Sequence, residues 1–230
     1  MDAADVRGLL GLLLADGSLV SYRTPGGGYI QLTLTAGLSE SAFLEEKVEE
    51  FKHFIPTKAE ILPYRTQTRA NGRNTPFLRF RVSTNRLRPV YNLLYPRGER
   101  LITQTALDLL GASAAAWTWA EGGRLEVDGS ASLVRVGQNP DEAGMVSRWI
   151  HMLTGASSQL SDERIKPRLV FSPEQTEKLQ QALIPYAPRT RTHLFTGDVP
   201  DVSTIRSART ELLLGQGGSQ PEGNKASSVA

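Results

Sequence analysis

The hydrophobic pattern of the first hundred residues switches between helical and strand spacing. A leucine-rich helix runs from Leu9 to the pair Asp16 and Gly17, where a glycine can end a helix or open a strand. Apolar and polar residues alternate over 17–35, which predicts a hairpin with one buried and one polar face. The pattern then predicts a helix over 39–54, strands over 59–69 and 77–83, a turn over 70–74 and a helix over 87–94.

The same order of elements begins again near residue 98. The predicted elements are a helix over 103–120, strands over 124–127 and 132–136, a helix over 141–153, strands over 159–163 and 165–171, and a final helix capped at Ser172. Here too a carboxylate, Glu121, precedes glycine, and it stands about 105 residues after Asp16. The helices that lead to these two carboxylates are called the signature helices below.

The duplication predicts an α+β fold of two pseudo-symmetric α-β-β-α-β-β-α repeats. We place the first repeat at residues 1–97, a linker with the start of the second signature helix at 98–111, and the second repeat at 112–195. Residues 196–230 are predicted to be a polar tail, partly disordered, with one marginal helix near 202–214.

Small residues recur at four-residue spacing on one face of each signature helix: Gly11 and Ala15 on the first, and Ala112, Ala116 and Ala120 on the second. Such stripes let two helix backbones approach closely. Taken alone, each helix has a plainer interpretation as a core helix leading into a hairpin. Because the feature occurs twice, we expect the helices to pack together and to place Asp16 beside Glu121.

Two carboxylates at one interface repel each other unless cations neutralise them. Mg²⁺ suits a site with one or two carboxylates, water and substrate phosphate oxygens. Two such ions could activate water and stabilise a leaving oxygen. Arginines on the outward faces of the predicted strands favour a phosphodiester backbone as the substrate.

Composition narrows the possible chemistry. The 230 residues include no cysteine and three histidines, which excludes disulfides, thiol nucleophiles and cysteine zinc sites and disfavours a histidine-rich metal centre. The formal net charge is only +2, but twenty of the 26 basic residues are arginine. Arginine suits bidentate contacts with phosphates and guanine edges, although a GC-rich genome would encode the same bias. No apolar run has membrane-spanning length, and the pattern of the first residues is not the one expected of a signal peptide.

Three stretches resemble a known family. Leu9–Gly17 resembles the signature helix of the LAGLIDADG homing endonucleases, and Ala114–Gly122 resembles its second copy in the single-chain, two-repeat members. Those members carry a characteristic segment between the repeats. It is similar to residues 95–102, 106–110 and Trp117 of this chain. The resemblance covers residues 4–195. It implies a homing endonuclease-like fold in which two sheets form a DNA-binding saddle.

The resemblance also implies an activity and its partners. It implies a monomeric, Mg²⁺-dependent endonuclease that cuts both strands of a specific double-stranded DNA site and promotes intron homing. Mn²⁺ or Ca²⁺ would be able to substitute for Mg²⁺ in binding. Such an enzyme is expected inside the cell, in bacterial cytoplasm and nucleoid or in an organelle, and without a membrane partner.

The resemblance further implies roles for individual residues. The family's metal-binding positions match the carboxylates of Asp16 and Glu121 and the main-chain carbonyls of Ala15 and Ala120. Arg100 falls at or near a position where similar members carry an active-site lysine, and Arg189 lies near the equivalent place in the second repeat. An arginine can stabilise phosphate charge, but it cannot carry a proton near neutral pH.

Polar residues on the strand faces are the expected DNA contacts, because glutamine and arginine can bond bidentately to purine edges in the major groove. In the first repeat they are Ser21, Arg23, Gln31, Thr33, Arg65, Gln67, Arg69, Arg79 and Arg81, with Asn71, Arg73 and Asn74 at a loop tip. In the second repeat they are Arg124, Glu126, Arg135, Gln159, Lys166 and Arg168.

The arginines at the two lysine positions leave one alternative open. A maturase with the same fold would bind intron RNA and cut DNA weakly or not at all. A transcription regulator built on this fold would add a helix-turn-helix domain, for which the tail is too short and too polar.

Overall fold

Two four-stranded antiparallel sheets, one in each half of the chain, organise the fold. The structure, a computed structural model, describes residues 1–25, 27–65, 76–161 and 166–196, without the side chain of Arg65. The strands are β1 Ser18–Thr24, β2 Gly27–Gly37, β3 Ile61–Arg65, β4 Pro76–Thr84, β5 Gly123–Leu125, β6 Ala131–Leu133, β7 Gln159–Ser161 and β8 Arg168–Phe171. The strand orders are β1-β2-β4-β3 and β5-β6-β8-β7, which are the same order repeated.

Helices alternate with the hairpins in both halves. They are α1 Ala3–Leu13, α2 Ser41–Phe54, α3 Arg88–Leu94, α4 Gln104–Leu107, α5 Ala112–Gly122, α6 Pro140–Thr154, α7 Pro173–Leu183 and α8 His193–Thr196. The predicted α+β class with two α-β-β-α-β-β-α repeats is therefore confirmed. The helix predicted near 202–214 and the rest of the tail beyond Thr196 lie outside the described residues. Among those described, no helix has the length and apolar character needed to cross a membrane.

The signature helices α1 and α5 pack directly against each other. A Cβ atom on Gly11 would lie 2.7 Å from the Cβ of Ala114 and 3.2 Å from its Cα, closer than side-chain carbons approach. The close contact on α5 thus falls at Ala114, not on the predicted stripe, of which Ala116 and Ala120 are also buried. Glycine at position 11 is what permits this helix spacing.

The helix predicted over 103–120 is two helices, α4 and α5, joined by a turn. Gly111 has extended backbone angles, φ −110° and ψ −165°, and precedes the first residue of α5. The carbonyl of Leu110 accepts a hydrogen bond of 3.2 Å from the indole of Trp149, which fixes the turn against α6. Helical spacing continues across the break, so the pattern of apolar residues did not reveal it.

The second hairpin is shorter than predicted, because Arg135 leaves the strand conformation. Its φ of +65° lies in the left-handed region, which non-glycine residues rarely adopt. Strand β6 therefore ends at Leu133, where the prediction ran to 136. In the first half, the turn predicted over 70–74 lies outside the described residues.

Strand register separates the two faces of the first sheet. Ile30, Leu32 and Leu34 of β2 are buried, and the alternate residues Gln31 and Thr33 are on the opposite face, as predicted. The polar face continues into β4, where Arg81 pairs with Thr33 and Arg79 with Thr35. This arrangement gives the sheet one core face and one polar outer face.

Candidate active site

Asp16 and Glu121 lie together where the signature helices end. Asp16 follows α1 and precedes Gly17, whose φ of +114° turns the chain into β1 in a conformation that favours glycine. Glu121 stands in the last turn of α5. The Asp16 side chain is 31% exposed and the Glu121 side chain only 7%, so one carboxylate faces the solvent more than the other.

Two cations bridge this carboxylate pair. The Lys47 ammonium of α2 lies 3.7 Å from Asp16 Oδ2 and pairs with Glu121 Oε1. The guanidinium of Arg135 lies 3.3 Å from Asp16 Oδ1 and 3.2 Å from Glu121 Oε2. Each carboxylate thus gives one oxygen to each cation, and the four formal charges cancel. We refer to these four residues as the charge cluster.

The Glu121 carboxyl is held in an unfavourable environment for its charge. Burial raises its pKa above the usual value, against the attraction of Lys47. The neighbouring Asp16 charge raises this pKa further, and Arg135 opposes the rise. The bridging cations therefore offset part of the cost of burying the charge of this carboxylate.

Lys47 is the residue of the charge cluster that sequence reasoning missed. Its side chain is 2% exposed and lies in line with the buried positions of α2, which are Phe43, Leu44, Val48 and Phe51. A lysine at i+3 and i+4 spacing within an apolar helix face is unusual, because burying an unpaired ammonium is costly. That spacing was the available signal, and it indicated a buried acidic partner.

Arg135 is a predicted DNA contact that the structure places on the carboxylates instead. Its side chain is 49% exposed, so it covers the pair from the solvent side, whereas Lys47 contacts it from the interior. The left-handed backbone at this residue lies just beyond β6, and the side chain reaches Asp16 of the other repeat. Arg135 is therefore part of the charge cluster in this conformation.

Arg100 lies next to Asp16, but its hydrogen bonds go to the main chain. The guanidinium donates to the carbonyls of Leu13 and Leu14, at 2.6 and 3.0 Å, and to that of Gly17. The carbonyls of Leu13 and Leu14 are at the end of α1, where they lack helical partners and carry partial negative charge, and that of Gly17 directly precedes β1. In this structure Arg100 thus fixes the segment that holds Asp16, in place of the phosphate contact expected from the sequence.

Replacing Arg100 should destabilise the chain. We expect Arg100→Met to lower the free energy of unfolding by about 2 kcal/mol, because three carbonyls lose a charged donor. Arg100→Lys should recover part of this loss, since a single ammonium reaches fewer of them. Urea unfolding measures both variants. Arg97→Met, at an exposed position, is the control; equal stability of the two methionine variants would contradict this assignment.

Arg189 is not brought to the carboxylate pair. Its guanidinium pairs with Glu46 at 3.5 Å and with Glu49 at 3.3 Å, both on α2, and its side chain is 81% exposed. The expected catalytic role of Arg189 does not fit this position. The physical reason is Glu46, whose carboxylate accepts hydrogen bonds from the main chain of Arg189 and from both the main chain and hydroxyl of Thr190.

The contacts of Glu46 predict a pH-dependent contribution to stability. Burial opposes its ionisation, but the hydrogen bonds from Thr190 and Arg189 outweigh it and hold the pKa of Glu46 below its usual value. Its stabilising effect is therefore complete above about pH 5 and is lost as the pH falls through the lowered pKa. We expect Glu46→Gln to lower the free energy of unfolding at pH 7 by about 1 to 2 kcal/mol.

This expectation is tested by measuring the free energy of unfolding at pH 7 and at acidic pH. The difference between wild type and Glu46→Gln should shrink as the pH falls, because the wild-type carboxyl becomes protonated. Glu45→Gln, at an exposed position of the same helix, is the control and should show no such pH dependence. A difference between wild type and Glu46→Gln that stays constant down to low pH would show that the carboxylate charge is not what Glu46 contributes.

A cleft of about 750 Å³ opens beside Asp16. Its lining includes Thr33 and Thr35 of the first sheet and also several basic side chains. The cations that line it are Arg100, Arg124, Arg135, Lys166 and Arg168. Such a concentration of positive charge suits a polyanion with closely spaced phosphates.

The two predicted DNA contacts on β1, Ser21 and Arg23, do not lie on the outer face of the first sheet. Ser21 pairs with Ile30 and Arg23 with Gly28, so both lie on the core side of the sheet, although their positions near its end leave them exposed. Their neighbours Val20 and Tyr22 share the face of Gln31 and are 43% and 40% exposed. The sequence of β1 alone did not show which of its residues face outward, because every residue after Leu19 in that strand is exposed.

The other predicted DNA contacts fall into three groups. Gln31, Thr33, Arg79 and Arg81 lie on the outer face of the first sheet, and the Arg79 guanidinium lies 4.1 Å from the centre of the Tyr64 ring. Arg124, Gln159 and Arg168 share one face of the second sheet, and Glu126 and Lys166 are exposed beside it. Gln67, Arg69, Asn71, Arg73, Asn74 and the Arg65 side chain lie outside the described residues.

A family model of DNA endonucleases matches most of the chain. The model is that of the LAGLIDADG DNA endonuclease family, and the match runs over residues 7–179. The chain belongs to this family. The match spans both signature helices and both sheets, so the LAGLIDADG resemblance predicted from the sequence is confirmed. A comparison with curated proteins finds no match.

Solved structures confirm that the fold is that of LAGLIDADG homing endonucleases. The structure resembles the homing endonuclease I-WcaI bound to its DNA recognition sequence, with a TM-score of 0.66, 12% identity, and coverage of 84% of this chain and 86% of that one. It also resembles I-DmoI in complex with DNA and Ca, with a TM-score of 0.54, 15% identity, and coverage of 89% and 98%. I-DmoI in complex with DNA and Mn gives a TM-score of 0.51 at 16% identity, with coverage of 79% and 98%.

Proposed function

We propose that this LAGLIDADG protein cuts both strands of a specific double-stranded DNA site with the help of a divalent metal. The observation that carries the proposal is the meeting of Asp16 and Glu121 at the ends of packed helices, beside a basic cleft. The family consists of DNA endonucleases, and the solved structures of I-WcaI and I-DmoI named above are complexes with DNA.

The chemistry of the donor set fits a hard divalent cation. Asp16 and Glu121 supply carboxylate oxygens, and the carbonyls of Ala15 and Ala120 stand one residue before them. Mg²⁺ is the proposed ion, with Mn²⁺ or Ca²⁺ able to replace it in binding. When bound, the metal would favour ionisation of a coordinated water and neutralise charge on the scissile phosphate.

The remaining groups of the cleft would hold the substrate. Arg124, Lys166 and Arg168 lie where they can neutralise backbone phosphates next to the carboxylate pair. Arg100, which is bonded to main-chain carbonyls, would keep the Asp16 segment in place during the reaction. The outer faces of the two sheets would extend the contact along the major groove on both sides.

A single chain would suffice for both strands. Both carboxylates, both sheets and the cleft come from one polypeptide, so we propose that the protein binds its site as a monomer. The repeat boundaries at 97 and 112 remain a prediction. The proposed place of action is wherever the cell holds the target DNA.

Cleavage of a defined duplex tests the proposal. The substrate is the uninterrupted form of the gene that flanks the coding sequence, and the expected result with Mg²⁺ is a double-strand break with 3′ overhangs at one position. EDTA should abolish cutting. No cutting of this duplex, combined with tight binding of the intron RNA, would overturn the endonuclease proposal in favour of a maturase, for which no described contact argues.

A further inference from the structure

Lys47 occupies a position that packing alone would give to an apolar side chain. It lies between Leu44 and Val48 on the buried face of α2. The helix at the equivalent place in the chain order of the second half is α6, where Val146 lies in the middle of the buried face and is 1% exposed. Lys47 therefore places a charge within a helix face that packing would fill with side chains such as this valine.

Among the residues that the structure describes, Asp16 and Glu121 carry the charges that compensate the burial of Lys47. A buried ammonium without acidic partners is strongly destabilising. The contacts of Lys47 with Asp16 Oδ2 and Glu121 Oε1 join the two repeats, since its own helix belongs to the first and Glu121 to the second. An ammonium between two carboxylates supplies positive charge to both of them, which is also what a divalent ion held by the pair would supply.

Lys47 and Arg135 contact opposite oxygens of the same carboxylates. Lys47 is 2% exposed and nearly closed off from solvent, whereas Arg135 is 49% exposed and borders the cleft. A metal ion arriving from the cleft would meet Asp16 Oδ1 and Glu121 Oε2, the oxygens that Arg135 contacts. Exchange of Arg135 for the ion would leave Lys47 undisturbed.

We propose that Lys47 is a permanent internal counter-cation that takes the place of one divalent ion, so that the pair binds a single divalent ion, from the cleft side. This inference rests on the proposed function, because it assumes that the pair binds metal. Lys47 is then a positioning residue. It fixes the inner oxygen of each carboxylate and directs the outer oxygens toward the cleft, and it competes with metal for the charge of the pair.

Rescue of a Lys47 variant by Mn²⁺ distinguishes this role from ordinary packing. Lys47→Met keeps the length of the side chain and removes its charge, which leaves the carboxylates underneutralised. We expect the free variant to have a lower Tm than wild type without metal. Because Mn²⁺ replaces the lost charge, it should raise the Tm of the variant by at least about 3 °C more than that of wild type.

Matched variants separate the charge of Lys47 from the packing of its side chain. Val146→Ala removes part of a buried, uncharged side chain in α6, and Mn²⁺ should shift its Tm no more than that of wild type. Asp16→Asn combined with Lys47→Met should lose the extra rescue, because one of the two ligands is gone. An equal Mn²⁺ shift in wild type and Lys47→Met, or rescue that survives Asp16→Asn, would overturn the proposal.

The wild-type chain offers a second measurement in case Lys47→Met fails to fold. Electron paramagnetic resonance counts bound Mn²⁺ per chain, with Asp16→Asn as the subtraction control. If Asp16→Asn binds one Mn²⁺ per chain fewer than wild type, the proposal is supported. A difference of two ions, or no difference, contradicts it. Cleavage of the flanking-gene duplex is scored separately, so a cutting enzyme that binds two ions would refute this inference and leave the proposed function intact.

Discussion

Asp16→Asn is expected to abolish DNA cutting while leaving DNA binding in place. The substitution keeps the shape of the side chain but removes one of the two carboxylates at the ends of α1 and α5. The rate of cleavage should fall by about 1000-fold or more, since metal activation of water supplies several kcal/mol of transition-state stabilisation. Binding should be equal or slightly tighter, because a negative charge next to the DNA has been removed.

Two assays on the same duplex separate chemistry from affinity. Single-turnover cleavage in Mg²⁺ reports the rate, and gel shift in Ca²⁺ reports the affinity of each variant. Asp141→Asn, at an exposed position in the first turn of α6, is the control and should cut at the wild-type rate. Wild-type cutting by Asp16→Asn would show that the metal assignment is wrong.

Gly11→Val is expected to destabilise the chain more strongly than Arg100→Met or Glu46→Gln. A Cβ at this position would meet Ala114 at 2.7 Å, and valine adds two further methyl groups between α1 and α5. We expect a loss of about 4 kcal/mol in the free energy of unfolding, near the upper limit for overpacked cores. Because the two helices carry the carboxylate pair, separating them should also reduce cutting.

Side chains of increasing size at position 11 test whether the spacing of α1 and α5 causes the loss of stability. Gly11→Ala should be intermediate, and calorimetry or urea unfolding measures all variants. Gly144→Ala is the matched control: this glycine is within α6, and an added Cβ would meet only the end of the Arg148 side chain, at 3.7 Å. We expect it to gain about 0.5 to 1 kcal/mol from helix propensity. Similar losses at both glycines would refute the packing argument.

The sequence was sufficient for the fold because its strongest signals are local and occur twice. The alternation of β2 and the leucines of α1 each place a face in the core without knowledge of the rest of the chain. The break before α5 was not predictable in the same way. Gly111 interrupts the helix without interrupting the apolar spacing, and the indole of a distant tryptophan holds the turn.

The carboxylates of the candidate site and the cations that line its cleft were predicted from the sequence, but the partners of those cations were not. Asp16 and Glu121 each follow a recognisable helix, so their meeting could be inferred from the duplication. The partners of a cation depend on tertiary contacts, which a motif does not specify. Arg100 and Arg189 therefore have acceptors that the sequence did not indicate, and Lys47 was overlooked among the apolar residues of its helix.

The two sheets share a strand order but present different side chains on their outer faces. In the first sheet Thr33 pairs with Arg81 and Gln31 with Ser83, whereas in the second Arg124 pairs with Ser132 and Gln159 with Val170. A palindromic sequence would offer identical base edges to two unlike surfaces. We therefore expect a non-palindromic target whose left and right halves tolerate different base changes, as profiling of single-base variants of the site would reveal.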